Sequence, residues 1–305
     1  MNAQNTWDEF SKALRSQTAR PEKVLVIDSQ SEDLTAEKAE RDGFRVIRIA
    51  RRDFRHGATR QLAAESAAKC DVLVFLTQDA LLASPDAIAT LLRAFEDPLV
   101  GAAYGRQLPR RQASPIEAHA RLFNYPAESC LRTQDQIPTL GFKTIFFSNS
   151  FGAYRLNALK NIGGFLGELN FGEDTVAAAM LILAGWKIAY VADAQAFHSH
   201  ELGWKEEFRR YKRIGELHAR QGWLLERFGT ASGEGTRFVI SEFRHLMRTA
   251  PRIIPIAFLR TGIKYLGYKA GRRGIAIEGI TMHRDYKGKV NSNSQSDPAT
   301  ALEDR

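Results

Sequence analysis

Apolar and polar positions along the first two hundred residues predict strands and helices in turn. Trp7, Phe10 and Leu14 fall on one face at helical spacing, so residues 7–16 read as an amphipathic helix. Residues 24–27 are a short apolar run that stops at Asp28, the pattern of a strand covered on both faces. A helix over 35–42 closes at Gly43, a strand follows at 44–49, and an alanine-rich helix spans 57–68. Residues 71–76 repeat the buried-strand pattern and end at Thr77-Gln78-Asp79. Proline opens a helix over 85–95, and 99–104 is another strand. Further on, 146–154 reads as a strand, 175–184 as a helix closed by Gly185, 186–191 as a strand and 196–200 as extended chain. From Trp204 to about Gly271 the pattern is helical. Residues 105–145 show no clear period, and an irregular stretch of that length is usually functional or mobile. After Tyr286 the chain is polar and rich in Ser and Asn, a composition expected to stay disordered.

This β-α-β-α rhythm predicts an α/β sheet with helices on its faces, in which ligands bind beyond the carboxyl ends of the strands. Two polar clusters stand at such ends, Asp28-Ser29 and Thr77-Gln78-Asp79. The 305 residues, 44% of them hydrophobic, suffice for a large core and exclude wholesale disorder. Two cysteines, Cys70 and Cys130, can build neither a disulfide framework nor a cysteine zinc site. They fit a reducing compartment. No apolar run approaches the 18 residues of a spanning helix and no apolar leader opens the chain, so a cytoplasmic protein is expected.

The net charge of +8 points to nucleic acid only until it is located. Residues 1–200 hold 23 basic and 23 acidic side chains, whereas 201–280 hold 16 basic and 8 acidic. The excess therefore belongs to the helical back of the chain. Residues 236–275 carry nine basic residues, one acid (Glu242) and interleaved apolar groups, a mixture suited to peripheral contact with an anionic membrane or to a basic helical cap on the sheet. No zinc finger, helix-turn-helix or aromatic RNA-binding pattern accompanies it, so nucleic acid is not an expected partner.

The strand ends carry an ordered set of motifs. Residues 26–35, Val-Ile-Asp-Ser-Gln-Ser-Glu-Asp-Leu-Thr, resemble the "D-S-x-S-x-D-x-T" stretch of the family 2 glycosyltransferases. His56-Gly57-Ala58-Thr59-Arg60 resembles their "HGxTRN" segment, and Leu76-Thr77-Gln78-Asp79-Ala80 the degenerate DxD motif of their rhamnosyltransferase branch. Gly105-Arg106-Gln107-Leu108-Pro109, Gly163-Gly164-Phe165, Gly172-Glu173-Asp174, His198-Ser199-His200 and Lys264-Tyr265-Leu266-Gly267-Tyr268 follow in the order of that branch, so the resemblance covers roughly residues 7–286. It implies a GT-A fold (a mixed sheet flanked by helices), which takes 1–200 and leaves the basic helical region over 201–286 and the polar tail over 287–305. It also implies a nucleotide-sugar donor, a divalent metal (Mg²⁺ or Mn²⁺) and transfer with inversion to a hydroxyl of a glycan or lipid-linked glycan acceptor. The donor that the branch suggests is dTDP-L-rhamnose and the acceptor a lipopolysaccharide or surface-polysaccharide precursor. A UDP-hexose donor stays open, as does a non-catalytic nucleotide-sugar-binding or scaffold protein.

The same resemblance distributes roles. Asp79, at a strand tip, is the one carboxylate of its motif and becomes a metal ligand; read alone, it could equally cap the following turn. His198 becomes the second metal contact, with His200 its substitute, the two projecting to one side of an extended segment. Asp174 becomes the base that takes the acceptor's proton, although its position also suits an N-cap of the next helix. Asp28, Ser29, Arg60, Thr77 and Gln78 are expected around the nucleotide sugar, with Arg60 near the diphosphate. Arg106, Gln107, Glu173 and His200 are candidate contacts to sugar or acceptor. One departure stands out. The family opens with a strand reading roughly "VIIPTYN", placed between the strands that end here at Asp28 and Asp79, and the six residues before the first helix do not read as one. A start assigned too late and a truncated copy both explain this, and either leads to the expectation that residues 1–305 alone are unstable or weakly active.

Overall fold

The computed structural model describes residues 2–67, 69–199, 201–229 and 233–276. His200 and the predicted polar tail lie outside the described residues. The front half comprises α1 (Gln4–Arg15), β1 (Leu25–Asp28), α2 (Thr35–Arg41), β2 (Arg45–Arg48), α3 (His56–Ser66), β3 (Val72–Leu76), β4 (Leu81–Leu82), α4 (Ala87–Leu92) and β5 (Val100–Leu108). Then come α5 (Pro115–Asn124), β6 (Cys130–Arg132), α6 (Ile137–Leu140), β7 (Phe151–Arg155), α7 (Leu156–Asn161), α8 (Glu173–Leu183) and β8 (Lys187–Phe197). The back is helical: α9 (Trp204–Arg220), α10 (Gly222–Phe228), α11 (Glu234–Thr249) and α12 (Ile254–Ala276).

Two corrections to the sequence reading concern regular structure. The stretch 105–145 is not irregular: β5 runs on to Leu108, and α5, β6, α6 and short 3₁₀ turns follow. Their apolar residues are used in small pieces, too short to establish a period. The separate strand 186–191 and extended segment 196–200 merge into one eleven-residue β8, whose Ala-rich middle lacks the large apolar residues that mark a strand.

The main sheet is mixed, with order β3-β7-β5-β8-β4 and β6 added against β8. β5 and β8 are parallel, and the other pairings are antiparallel. Alternation along the strands fills two layers. Tyr154 of β7 and Ile188, Tyr190 and Ala192 of β8 face α8, while Phe151 and Ala153 of β7 and Ala189, Ala194 and Ala196 of β8 face α4. β1 and β2 stand apart as a two-stranded parallel sheet. β3 pairs only with β7, so among the described residues one edge of β1 and one edge of β3 carry no ladder partner. Both strands read as covered on both faces, yet neither is. β1 is half-buried over its first three residues, and Val74 in the middle of β3 is 36% exposed, because each lies at an edge of its sheet.

The C-terminal helices share the core of the sheet. Leu217 of α9 and Trp223, Leu224 and Phe228 of α10 belong to the same buried cluster as Tyr104, Tyr154 and Tyr190. α12 lies along α9 so closely that a Cβ at Gly271 would sit 2.0 Å from the Lys212 carbonyl oxygen. His119 Nε2 of α5 and Ser241 Oγ of α11 are 2.9 Å apart, which ties the outer helix to the same body.

Candidate active site

The first turn of α8 presents the two adjacent carboxylates. Its N-cap is Gly172, at φ +76°. A Cβ there would also lie 2.3 Å from Leu217 Cδ2 of α9, so both backbone and packing require glycine. Asp174 is therefore not the N-cap that its sequence position allows; it sits inside the first turn, and its Oδ1 accepts from the Thr175 N–H at 2.8 Å. Gly172→Ala should destabilise the protein by about 1–3 kcal/mol through the strained left-handed backbone. A shift of the urea midpoint at unchanged slope measures it, and an unchanged midpoint contradicts the backbone-strain argument.

The two carboxylates have separate fates. Glu173 is buried and pairs with the Arg60 guanidinium, which α3 brings across from the HGxTR segment. The Asn149 side-chain amide donates to the same Glu173 oxygen at 3.4 Å. Asp174 accepts from the Asn149 backbone N–H at 3.3 Å and remains partly accessible. Burial and then the neighbouring Glu173 charge push its carboxyl up to about 6, and Arg60 and the two backbone N–H groups oppose this without reversing it. A helix N-terminus stabilises carboxylates, so here desolvation and like charge outweigh it. Beside them His56 is held down to about 4 by burial and by the charge of Arg60, which keeps it neutral.

A second cluster forms where β3, β5 and β8 end. β5 and β8 change register between Gly105 and Arg106: Gly105 pairs with Val191 but Arg106 with Gln195. Such an irregularity re-aims side chains, and after it the backbone of His198 bonds Leu108 at 3.0 Å. His198 Nε2 lies 3.5 Å from Asp79 Oδ1. The other ring nitrogen, Nδ1, is 2.8 Å from Gln107 Oε1. That oxygen also accepts from Arg121 Nη1 at 2.7 Å, and Gln107 Nε2 donates to Ser148 Oγ at 2.8 Å. An arginine can only donate, so the Gln107 amide orientation is set and His198 must carry its proton on Nδ1. Nε2 then faces the Asp79 carboxylate.

That arrangement tests the divalent metal implied by the fold. An imidazole ring oriented from behind and a carboxylate oxygen 3.5 Å from its Nε2 are a suitable ligand pair for Mn²⁺, and the carboxylate alone suits Mg²⁺. No group of three or more His, Cys, Asp or Glu residues is placed to hold a metal among the described residues. The protein's share would then be two ligands, the rest coming from ligand oxygens and water, which is usual for magnesium.

Residues 148–150 join the two clusters. Ser148 holds Gln107, Asn149 holds both carboxylates of α8, and the Ser150 carbonyl accepts from the Thr77 N–H at the end of β3. The sequence reading missed this segment. Its signal is three small polar residues between Phe147 and Phe151, at a point where a strand is about to start. It also missed Arg110, whose guanidinium donates to the Asp79 carbonyl at 2.7 Å, and Arg121.

Asp28 is buried in the separate two-stranded sheet, and its two oxygens accept from the Ser31 N–H (2.9 Å) and hydroxyl. Ser29 is buried beside it. In the same motif Asp33 accepts from the Gln4 N–H, and Thr35 from the Ala3 N–H, so its downstream half anchors the start of α1. Gln78 is exposed at the β3 tip. Arg106 donates to the Tyr125 carbonyl at 3.1 Å and Gln107 is spent on His198, Arg121 and Ser148, so both serve the framework in this structure. Glu173 is likewise engaged by Arg60.

Comparison with known proteins adds an independent line. The family model described as Glycosyl transferase family 2 matches residues 1–163. The chain is 42% identical over 302 residues to the O-antigen chain rhamnosyltransferase RfbN of Salmonella typhimurium, covering 97% of this chain and 96% of the relative. It is 40% identical over 296 residues to the O-antigen chain rhamnosyltransferase WbaN of Salmonella anatum, covering 95% and 94%. Among solved structures it resembles a mannosyltransferase of Pyrobaculum calidifontis in complex with GDP-Man and Mn²⁺, with TM-score 0.54 and 18% identity over 95% of this chain and 80% of that one. The S. aureus TarS fragment in complex with UDP-GlcNAc matches with TM-score 0.50 and 14% identity over 91% and 89%. At these identities the structural likeness concerns the fold alone.

Proposed function

The chain belongs to glycosyl transferase family 2, and we propose that this glycosyltransferase moves L-rhamnose from dTDP-L-rhamnose, with inversion, to a hydroxyl of a lipid-linked O-antigen-type glycan. The observation that carries the choice of sugar and acceptor is the 42% identity, nearly end to end, with a protein named as an O-antigen chain rhamnosyltransferase.

The site supports a single displacement. Asp174 takes the proton of the acceptor hydroxyl while that oxygen bonds to the anomeric carbon. On the opposite side the bond from the anomeric carbon to the diphosphate oxygen breaks, and the electron pair leaves with the nucleoside diphosphate. A double displacement needs a second, uncommitted carboxylate at the reacting carbon, and Glu173 is tied to Arg60 and Asn149. Asp79 and His198 would hold a divalent cation, whose contribution when bound is Lewis-acid stabilisation of that leaving group.

A panel of nucleotide sugars, with Mn²⁺ and a lipid-linked acceptor, tests the reading. Turnover with dTDP-L-rhamnose should exceed that with UDP-glucose, UDP-GlcNAc or GDP-mannose by at least about 10²-fold in kcat/KM, and NMR of the product should show inversion. Preference for a hexose donor overturns the rhamnose assignment. Donor binding without any turnover or donor hydrolysis favours the non-catalytic reading.

A further inference from the structure

We propose that α11 and α12 together form a docking surface for an anionic lipid bilayer. This inference does not depend on which sugar is transferred.

The geometry of α12 carries it first. Positions 255, 258, 259, 262, 265, 266, 269 and 273 recur at spacings of three and four, and all are exposed. The opposite positions, 257, 260, 264, 267, 268 and 271, are buried or half-buried, and the Gly267 and Gly271 backbone lies on α9. The outward stripe is therefore a real face of a packed helix, apolar over Pro255–Leu266 and ending in Lys269 and Arg273: Phe258 is 54% exposed and Leu259 and Leu266 are each 60% exposed. On α11, Ile240, Phe243 and Met247 are exposed at the same spacing. The Phe243 and Phe258 rings are 6.4 Å apart, so the two stripes form one patch across the turn between the helices. Contiguous exposed apolar surface of this kind marks an interaction site.

Charge selects the occupant. Two of the nine cations of residues 236–275, Arg260 and Lys264, turn inward to the buried Glu207, at 3.4 Å each. Glu242, the one acid of the stretch, is 3% exposed and packs near the same pair. The interior thus balances itself, and the acid is withdrawn from the surface. Arg244, Arg248, Arg252, Lys269 and Arg273 are exposed around the apolar patch. A second copy of the chain would bring five like charges against five, whereas an anionic headgroup layer complements them while the acyl region receives Phe258, Leu259 and Leu266. No helix among the described residues is long and apolar enough to cross a membrane, so the contact lies in the plane of the interface.

Sedimentation of the full chain with vesicles tests this. Binding to phosphatidylcholine vesicles containing phosphatidylglycerol should exceed binding to pure phosphatidylcholine by at least about tenfold, and should weaken as salt rises. Leu259→Glu with Leu266→Glu should reduce binding at least tenfold, with an unchanged thermal transition and unchanged turnover on a water-soluble acceptor. Arg244→Gln, Arg248→Gln and Arg252→Gln together should remove the preference for anionic lipid. Failure of the full chain to bind either vesicle overturns the proposal. So does a concentration-dependent dimer, seen by sedimentation velocity, that the Leu259→Glu change dissociates: the patch is then covered by a second copy.

Discussion

Asp174→Asn is expected to lower kcat by about 10²–10⁴-fold, the usual contribution of a positioned general base, with donor affinity changed little. The amide is nearly isosteric, and its carbonyl can still accept from the Asn149 or Thr175 backbone N–H that holds the native carboxylate. What it cannot do is take a proton. The pH profile distinguishes this role from a structural one. With the carboxyl raised to about 6 by burial and by Glu173, kcat/KM of the wild type should climb as pH rises through about 6 and level off above it. The variant should lack that limb.

Stability should move in the opposite direction, and the sign follows from linkage. A carboxyl whose folded pKa lies above its unfolded value binds its proton more tightly in the folded state. Folding is therefore penalised where both states are ionised, above about pH 6, and not where both are protonated, below the ordinary aspartate value of 3.8. Asp174→Asn removes that penalty. Its denaturation midpoint should exceed the wild type's near pH 8, with the difference closing as pH falls toward 4. Loss of activity together with loss of stability at every pH would contradict the assignment of Asp174 as a strained, functional carboxylate.

Much of this site was legible in the sequence because its parts are local. Asp79 ends an apolar run, His198 ends another, and Glu173-Asp174 follow a glycine and precede a helix. Each such position can be read from the residues on either side. What could not be read is pairing between segments far apart in the chain. Arg60 meets Glu173 across 113 residues and Gln107 meets His198 across 91, so Arg60 reads as a free cation for a diphosphate and Gln107 as a free amide for a sugar. Both are in fact bound to protein. The role of the segment 148–150 was hidden for the same reason: its three small polar residues mark a spot, but their meaning comes only from Gln107, Glu173, Asp174 and Thr77. The fold shows the same division. The alternation of strands and helices survives in the structure, but the full burial predicted for residues 24–27 and 71–76 does not. Burial of a strand depends on its sheet neighbours, and β1 and β3 each have one.

Asp79→Ala should remove most Mn²⁺ binding measured by calorimetry or electron paramagnetic resonance in the presence of nucleoside diphosphate. Transfer should fall by about 10³-fold, as expected when several kcal/mol of charge stabilisation are lost. Gln107→Ala probes the same site from one layer back and should behave differently. In this structure the Gln107 amide is engaged by protein: it fixes a proton of His198 on Nδ1 and is itself fixed by Arg121 and Ser148. Without it the imidazole is free to rotate and to exchange tautomers, so Mn²⁺ affinity should fall by about 10–100-fold, with kcat recovering at saturating metal. Imidazole ¹⁵N chemical shifts should report the change directly, moving from a single Nδ1–H tautomer in the wild type to a mixture in the variant. If Asp79 and His198 act as one ligand pair, adding His198→Ala to Asp79→Ala costs much less than the sum of the two single losses. If Asp79→Ala leaves the metal dependence of transfer unchanged, the metal lies elsewhere, and the 3.5 Å approach of Nε2 to Oδ1 is only a buried histidine balancing a turn carboxylate.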